Sequence, residues 1–485
     1  MELRSTLFAL GIMCMLLGGA MVPSALLDIA EGEGAWPIFV SSSFAVTAFG
    51  AALFVLTRGD RPPRTGQREA FLLTVLVWLV LPGLAAIPFL SSGMSFTDAM
   101  FESISGLTTT GATVLTGLDD LPSGLLLWRA ILQWFGGIGI IVTAIAVFPQ
   151  LRVGGMQLFQ IESSDRLGKF LPRVREIALQ TGIVYLLVTI SCALSYALCG
   201  MTVFDAVTHS MTTVSAGGFS THDRSFAFFQ ETPAIYPAIF FMVIAGLPFS
   251  LLALTILHGR WRALLDDPQP RLFLAIVFGF ALLIVGYHEL EVTPPPFEDR
   301  LVAFREALFN FVSIMTGTGY ASAPYDQWGT TIVIIFLIGT FLGGCAGSAA
   351  CGIKMFRLEL SAKAVLAHAQ RMVQPHRLAP VRYAGNVVDE DTLQSVMVFV
   401  FLYLATFAVA AILLAILGLD PITAISGAAT SVSNVGPGLG PTIGPSGTFQ
   451  TLPEAAKWVC AIAMLLGRLE FVAVFVVLSR RFWGG

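Results

Sequence analysis

Apolar stretches of about twenty residues, long enough to cross a bilayer, recur ten times along the chain. They cover roughly 5–27, 36–57, 69–91, 124–148, 177–200, 234–258, 272–292, 330–353, 394–418 and 455–479. Between the later pairs lie four shorter, moderately apolar segments, 96–110, 203–217, 304–318 and 421–435, each running into Gly, Thr and Ser. They are too short to span and are predicted to be re-entrant helices, which a membrane tolerates only inside protein or along a cavity. The expected fold is therefore an all-α integral membrane protein. Residues 5–27 are too long for a signal peptide, and no small-residue cleavage site precedes Asp28, Glu31 and Glu33, so this stretch is predicted to be a retained helix.

The four short segments align without gaps on one glycine each: Gly111, Gly218, Gly319 and Gly436. In all four an Ala stands twelve positions before the glycine (Ala99, Ala206, Ala307, Ala424) and a hydroxyl residue three before it (Thr108, Ser215, Thr316, Ser433). A polar residue stands thirteen before it (Asp98, Asp205, Glu306, Thr423), where it suits the positive end of a helix dipole. The glycines recur at intervals of roughly a hundred residues, the mark of internal repeats. Each unit reads as span, short helix, glycine-bearing strand, span. The second alignment is the least secure, because Gly217 competes with Gly218.

Charge then fixes direction. Most of the 27 basic residues sit in alternate connections, at 58–68, 150–175, 258–271 and 354–382, or at the ends as Arg4, Arg480 and Arg481. By the positive-inside rule both termini are cytoplasmic and all four short segments open outward. Only 12% of residues are charged and 55% are hydrophobic, against about 25% charged in soluble domains. The six cysteines show no CxxC spacing and are expected to be buried thiols without disulfide or metal.

This pattern favours cation transport. A cation entering a membrane must exchange its hydration shell for other oxygens, and rings of backbone carbonyls provide them in potassium-selective filters. Glycine lets the backbone leave strand geometry at least steric cost. The predicted filter is Thr108-Thr109-Thr110-Gly111, Ser215-Ala216-Gly217-Gly218, Thr316-Gly317-Thr318-Gly319 and Ser433-Asn434-Val435-Gly436. The hydroxyls three before each glycine either add an inner oxygen ring or lock the loops. Helix C-termini aimed at the loops add negative potential. Asp119, Asp120, Asp223 and Asp326 follow the glycines and either concentrate cations at the mouth or are ordinary solvated charges. Enzyme motifs fail: HExxH is absent, 347–354 lacks the Ser or Thr of a phosphate loop, and Gly444-Pro445-Ser446-Gly447 is no nucleophile elbow. A secondary transporter of another solute is an alternative, though such proteins more often show inverted repeats.

The stretches Thr108-Thr109-Thr110-Gly111-Ala112-Thr113, Gln133-Trp134-Phe135-Gly136-Gly137-Ile138-Gly139, Gly217-Gly218-Phe219-Ser220-Thr221-His222-Asp223, Thr318-Gly319-Tyr320, Asn434-Val435-Gly436-Pro437-Gly438 and Gly467-Arg468-Leu469-Glu470 carry a resemblance over essentially the whole chain. The chain resembles the TrkH family, the membrane subunits of bacterial Trk potassium uptake systems within the Trk/Ktr/HKT superfamily. Two extra N-terminal spans favour this family over the KtrB branch, whose Na+-dependent K+ transporters are the nearest alternative.

The resemblance implies four pseudo-symmetric span–pore helix–span repeats around a central pore, divided as 67–152, 153–262, 263–383 and 384–485, after an N-terminal pair of helices in 1–66. It implies K+ as the transported ion, bound at the filter, and no tightly bound organic cofactor. It implies a homodimer in the lipid bilayer of the bacterial inner membrane, with cytoplasmic nucleotide-binding TrkA-type regulators and no nucleic acid. Residues 150–175 and 354–392 are the cytoplasmic surfaces long enough to meet such a regulator. The family's intramembrane gating loop matches 343–353, with Gly343, Gly344, Gly347, Gly352 and the adjoining Lys354. So many small residues hold a regular helix poorly. Ala349-Ala350-Cys351 replace the usual Thr-Gly-Gly, which stiffens the loop, and Ala216 replaces a usual Thr. Arg468, a costly charge near the middle of the last predicted span, is implied to face the permeation path; the alternative is a carboxylate partner in the bundle. Arg129 is expected to snorkel or to brace a filter loop.

Overall fold

The computed structural model describes residues 3–59, 66–146, 170–290, 299–376, 379–469 and 471–483. Much of the predicted cytoplasmic segment 150–175, and Glu470, lie outside the described residues. The described chain is nearly all helix, with one two-stranded hairpin at Arg382–Tyr383 and Asn386–Val387. Among the described residues seven helices are long and apolar enough to cross a membrane. They fall on seven of the ten predicted spans.

The other three predicted spans are broken, and each follows the second, third or fourth short helix. Residues 234–258 form Ile235–Ala245 and Phe249–His258, bent by 106°. Pro248 has no N–H to continue the first helix and caps the second. Residues 330–353 hold the helix Thr330–Phe341, then a non-helical loop to Lys354. Residues 455–479 divide into Glu454–Arg468 and Val472–Leu478, with Phe471 at φ 27° between them. Arg468 therefore ends a helix, at the break within the predicted span 455–479.

The four short helices are Phe96–Leu107, Val203–Val214, Arg300–Thr316 and Pro421–Ser433. Three are capped alike: Ser95, Thr202 and Asp420 accept the N–H of Asp98, Asp205 and Thr423, each cap contributing about 1 kcal/mol. The polar residue thirteen before the glycine is thus the third helical residue, and its cap stands three earlier. The third helix departs from this. It starts at Arg300 under an Asp299 cap, so Glu306 lies in its interior, against Arg305 and the Ser322 hydroxyl.

The two N-terminal helices, Leu3–Ala20 continued by Val22–Glu31, and Trp36–Thr57, meet through Gly11, Gly18 and Gly50, where added methyls would strike the facing backbone or Thr47. They dock on the first repeat through carboxylates. Asp28 accepts the Gly124 N–H (2.6 Å) and Glu33 the Ser123 N–H (3.2 Å), at the start of the helix Ser123–Ala146. All six cysteines are free; Cys199 is half-buried and the others are buried.

Candidate functional site

Each short helix delivers its chain into a glycine-bearing strand, and the four strands meet. Gly111, Gly218, Gly319 and Gly436 have φ of 81°, 73°, 77° and 106°, the left-handed region glycine enters freely. A methyl on Gly111 would fall on the carbonyl of Gly217, one on Gly218 on that of Thr318, one on Gly319 on that of Val435, and one on Gly436 on that of Thr110. All four approaches would be under 3.0 Å. Each glycine therefore lies against the carbonyl of the residue preceding the next repeat's glycine. The sequence of contacts, first to second to third to fourth to first, closes a ring. Gly217 does not have positive φ, so the second repeat joins the ring through Gly218. All four glycines line one open cavity of about 70 Å³, together with His222, Asp223 and Arg129.

The residues two before the glycines are left-handed as well: Thr109, Ala216 and Asn434 at φ 53° and Gly317 at 77°. For the three non-glycines this stores about 1–3 kcal/mol each. Gly317 and Asn434 are residue types that favour this conformation; Thr109 and Ala216 give no such signal.

The hydroxyls three before the glycines act as locks. Thr108 donates to the Ile104 carbonyl and meets Thr110 Oγ1 at 2.7 Å; Thr316 donates to Val312 and meets Thr318 Oγ1 at 2.8 Å. Ser215 donates to Thr212, and Ser433 meets Tyr403 at 2.6 Å. Asn434 ties the fourth strand to Thr110 Oγ1 and the Met464 carbonyl, each at 2.9 Å.

Outside the ring, Arg129 braces two strands. It is fully buried, pairs with Glu102 at 2.8 Å, donates to the Ser220 carbonyl and Thr113 Oγ1, and lies 4.1 Å over the Phe219 ring. Glu102 also accepts from Thr113 and the Val114 N–H. Tyr320 meets Thr212 at 2.5 Å, anchoring the third strand on the second short helix. At the mouth, Asp119 meets His222 Nδ1 at 2.5 Å, and Asp223 accepts the Leu118 N–H. These two of the four mouth carboxylates thus join the outer loops of repeats one and two. His222 Nε2 lies 3.3 Å from Asp205, close enough for charge attraction but too poorly aligned for a hydrogen bond. Burial pulls the His222 imidazolium pKa down, but its two carboxylate neighbours outweigh this and raise it above the ordinary histidine value. Burial raises the Asp326 carboxyl, one of whose oxygens has no partner.

On the other side of the ring lies the loop after Phe341. Cys351 donates its N–H to the Thr316 carbonyl (3.3 Å), and its Sγ stands 3.8 Å from Thr109 Oγ1 and 2.6 Å from Arg468 Nη1. Arg468 Nη2 reaches the Gly136 carbonyl at 3.4 Å, Nε has no partner, and no carboxylate pairs with it among the described residues. The loop's backbone bonds to protein. Cys345 and Ala349 donate to the carbonyls of Gly246 and Ala245, at the bend of the second repeat's broken span, and Phe249 donates back to Gly347. Gly344 permits this approach: a methyl there would lie 2.6 Å from Ala350 Cβ and 2.9 Å from the Gly246 carbonyl. Gly347 and Gly352 are left-handed at 73° and 72°. Lys354 donates to the Ala350 carbonyl and precedes the helix Met355–Val373.

Four short helices delivering four glycine-bearing segments into one ring, together with membrane-length apolar helices, define an integral membrane protein. The chain belongs to the TrkH family of cation transport proteins, whose family model matches residues 36–483. It is 39% identical over 477 residues to the Trk system potassium uptake protein TrkI of Halomonas elongata, covering 98% of this chain and 96% of that one. It is 35% identical to the Trk system potassium uptake protein TrkH of Escherichia coli K12, with both chains fully covered. The crystal structure of the potassium transporter TrkH from Vibrio parahaemolyticus matches with a TM-score of 0.89 at 33% identity, again over the whole of both chains. These relatives are transporters and not enzymes.

Proposed function

We propose that this chain is the ion-conducting subunit of a Trk-type potassium uptake system, and that K+ crosses at the ring of Gly111, Gly218, Gly319 and Gly436. The closed cycle of glycine–carbonyl contacts carries this reading. Left-handed residues at alternate positions turn successive carbonyls to one side, where they can replace a hydration shell. The oxygens of Thr110, Gly217, Thr318 and Val435, with those of their neighbours in 108–111, 215–218, 316–319 and 433–436, are the candidate ligands. The C-terminal ends of four short helices add negative potential at the same point.

In this reading the loop 343–353 is the gate. Its Cys351 stands directly behind Thr109 and Thr316, and Arg468 sets a fixed positive charge beside it. The protein works as a homodimer in the inner membrane, termini in the cytoplasm, and a nucleotide-binding regulator acts through the helix Met355–Val373 that follows the loop. Flux of K+, Na+ and Rb+ into liposomes holding the purified protein tests the core of this. K+ and Rb+ are expected to pass well ahead of Na+ in the wild-type protein, and Gly111→Ser is expected to admit Na+. A Gly111→Ser protein with unchanged K+ preference overturns the filter assignment.

A further inference from the structure

Each filter strand needs something to hold its carbonyl in the ring, and the four repeats solve this differently. In repeats one and three a threonine just before the glycine, Thr110 or Thr318, bonds to the threonine two positions earlier. In repeat four Asn434 ties the strand to its surroundings. In repeat two the equivalent of Thr110 and Thr318 is Gly217, which has no side chain, and it is followed by a second glycine. Two adjacent glycines leave this strand with no side chain at or just before its ring position.

The missing lock comes from another element. Gln133, fully buried on the helix Ser123–Ala146 of repeat one, donates from Nε2 to the Gly217 carbonyl at 2.6 Å and accepts the Phe219 N–H on Oε1 at 3.0 Å. The amide fills the space where a residue-217 side chain would stand: a methyl there would lie 2.5 Å from Gln133 Cδ and 2.6 Å from Oε1. Among the described residues, Gly217's is the one ring carbonyl that accepts a hydrogen bond; those of Thr110, Thr318 and Val435 accept none.

We propose that Gln133 is a selectivity-determining positioning residue: its amide replaces the absent threonine of repeat two and holds the Gly217 carbonyl in the ring. The inference rests on the filter reading above and deepens it. Gln133 does not itself meet the ion. It fixes the orientation of one of four oxygens and draws some negative charge from it, so the ring an ion meets is unequal in its second quadrant. Gly217 and Gln133 form a matched pair, because a side chain at 217 and the amide at 133 exclude each other.

The test is K+ and Na+ flux into liposomes from the full-length protein. Gln133→Ala is expected to lower the K+ over Na+ preference about tenfold, the scale of one or two lost hydrogen bonds. Gln133→Met, which keeps the volume and donates nothing, is expected to do the same and serves if the alanine protein does not assemble. Gly217→Thr alone, with the amide in its way, is expected to be impaired. Combined with Gln133→Ala, where the space is free, the threonine is expected to restore much of the preference. A purely structural role for Gln133 does not foresee that rescue in ion preference. Wild-type preference in Gln133→Ala or Gln133→Met, or a double variant no better than Gln133→Ala, overturns the inference. Gly111→Ser run in parallel separates the two failures. If it too leaves preference unchanged the filter reading is at fault; if it alone changes preference, only the role of Gln133 is.

Discussion

Substitution of Gly218 by alanine probes the ring at the repeat whose register was hardest to read. Gly218 sits at φ 73°, and its methyl would land on the backbone carbonyl of Thr318 in the next repeat. The left-handed conformation costs a non-glycine about 1–2 kcal/mol. Forcing a methyl into a filled space costs about 1–3 kcal/mol more. A total of about 2–5 kcal/mol is a large share of a domain's net stability. The protein can relieve it only by moving the Thr318 carbonyl or the strand 217–219, and either displaces a ring oxygen. Since about 1.4 kcal/mol is a tenfold change in an equilibrium, the K+ over Na+ preference is expected to fall tenfold or more in the protein that does fold. Gly217→Ala is the control. Gly217 lies outside the left-handed region, and its methyl would displace the Gln133 amide and not a backbone carbonyl, so its thermal midpoint is expected to fall less than that of Gly218→Ala and its ion preference to fall no further than in Gln133→Ala. The assay is liposome flux of the two ions, with thermal unfolding on the same preparations. Gly218→Ala with wild-type preference, or a larger loss at Gly217, refutes the assignment of Gly218 to the ring.

Arg468→Ala is expected to raise K+ flux several-fold, because it removes a fixed positive charge beside Cys351 behind the ring; unchanged flux at normal expression would assign Arg468 a structural role. Glu102→Gln leaves Arg129 buried without its counter-charge and is expected to cost about 3–5 kcal/mol, read as a marked fall in thermal midpoint; a midpoint within a degree or two of wild type contradicts the bracing role. His222 carries a raised pKa between Asp119 and Asp205, beside the Phe228 ring and near His209. A raised folded-state value means its stabilising contribution is complete below its ordinary pKa of 6.5 and fades as pH climbs through the raised value. The difference in thermal midpoint between wild type and His222→Gln should therefore shrink from about pH 6 to about pH 9, and a difference constant over that range speaks against the His222 bridge.

The architecture was legible where one residue type has one physical role. Long apolar runs placed helices at all ten predicted spans, and the glycine register found the four positions that close the ring. The breaks were harder. Gly246-Leu247-Pro248 does contain a break signal, since a proline cannot continue the hydrogen bonding of the helix before it, yet the surrounding hydropathy hid it. Phe471, at positive φ, carries no signal at all. The left-handed residues Thr109 and Ala216 were equally hidden, because β-branched and alanine side chains argue against that conformation and only tertiary contacts impose it. The Gln133 clamp had a faint signal, a polar amide within an apolar span, but its partner lies in another repeat, and distance along the chain concealed the pair.

A non-helical loop at membrane depth must satisfy its backbone against protein or water, and partners that are water would let it move at little cost. The loop after Phe341 has protein partners, and this constrains how the proposed gate can work. The helix Ile235–Ala245 ends with carbonyls that have no partner of their own, as every helix end does, and in a membrane these must be satisfied by something. The Cys345 and Ala349 N–H groups satisfy Gly246 and Ala245, and Phe249 N–H returns a bond to Gly347. The break in the second repeat and the break in the third thus complete each other. Withdrawing the loop alone orphans polar groups at three bonds, at about 1–3 kcal/mol for each buried group left unmade, a penalty comparable to the stability of a whole domain. A loop that gates must therefore move together with residues 245–249 or admit water as it goes. The helix Met355–Val373 is joined to the loop by the bond from Met355 N–H to the Gly344 carbonyl, so in the proposed gate a pull on that helix would act on both broken spans at once.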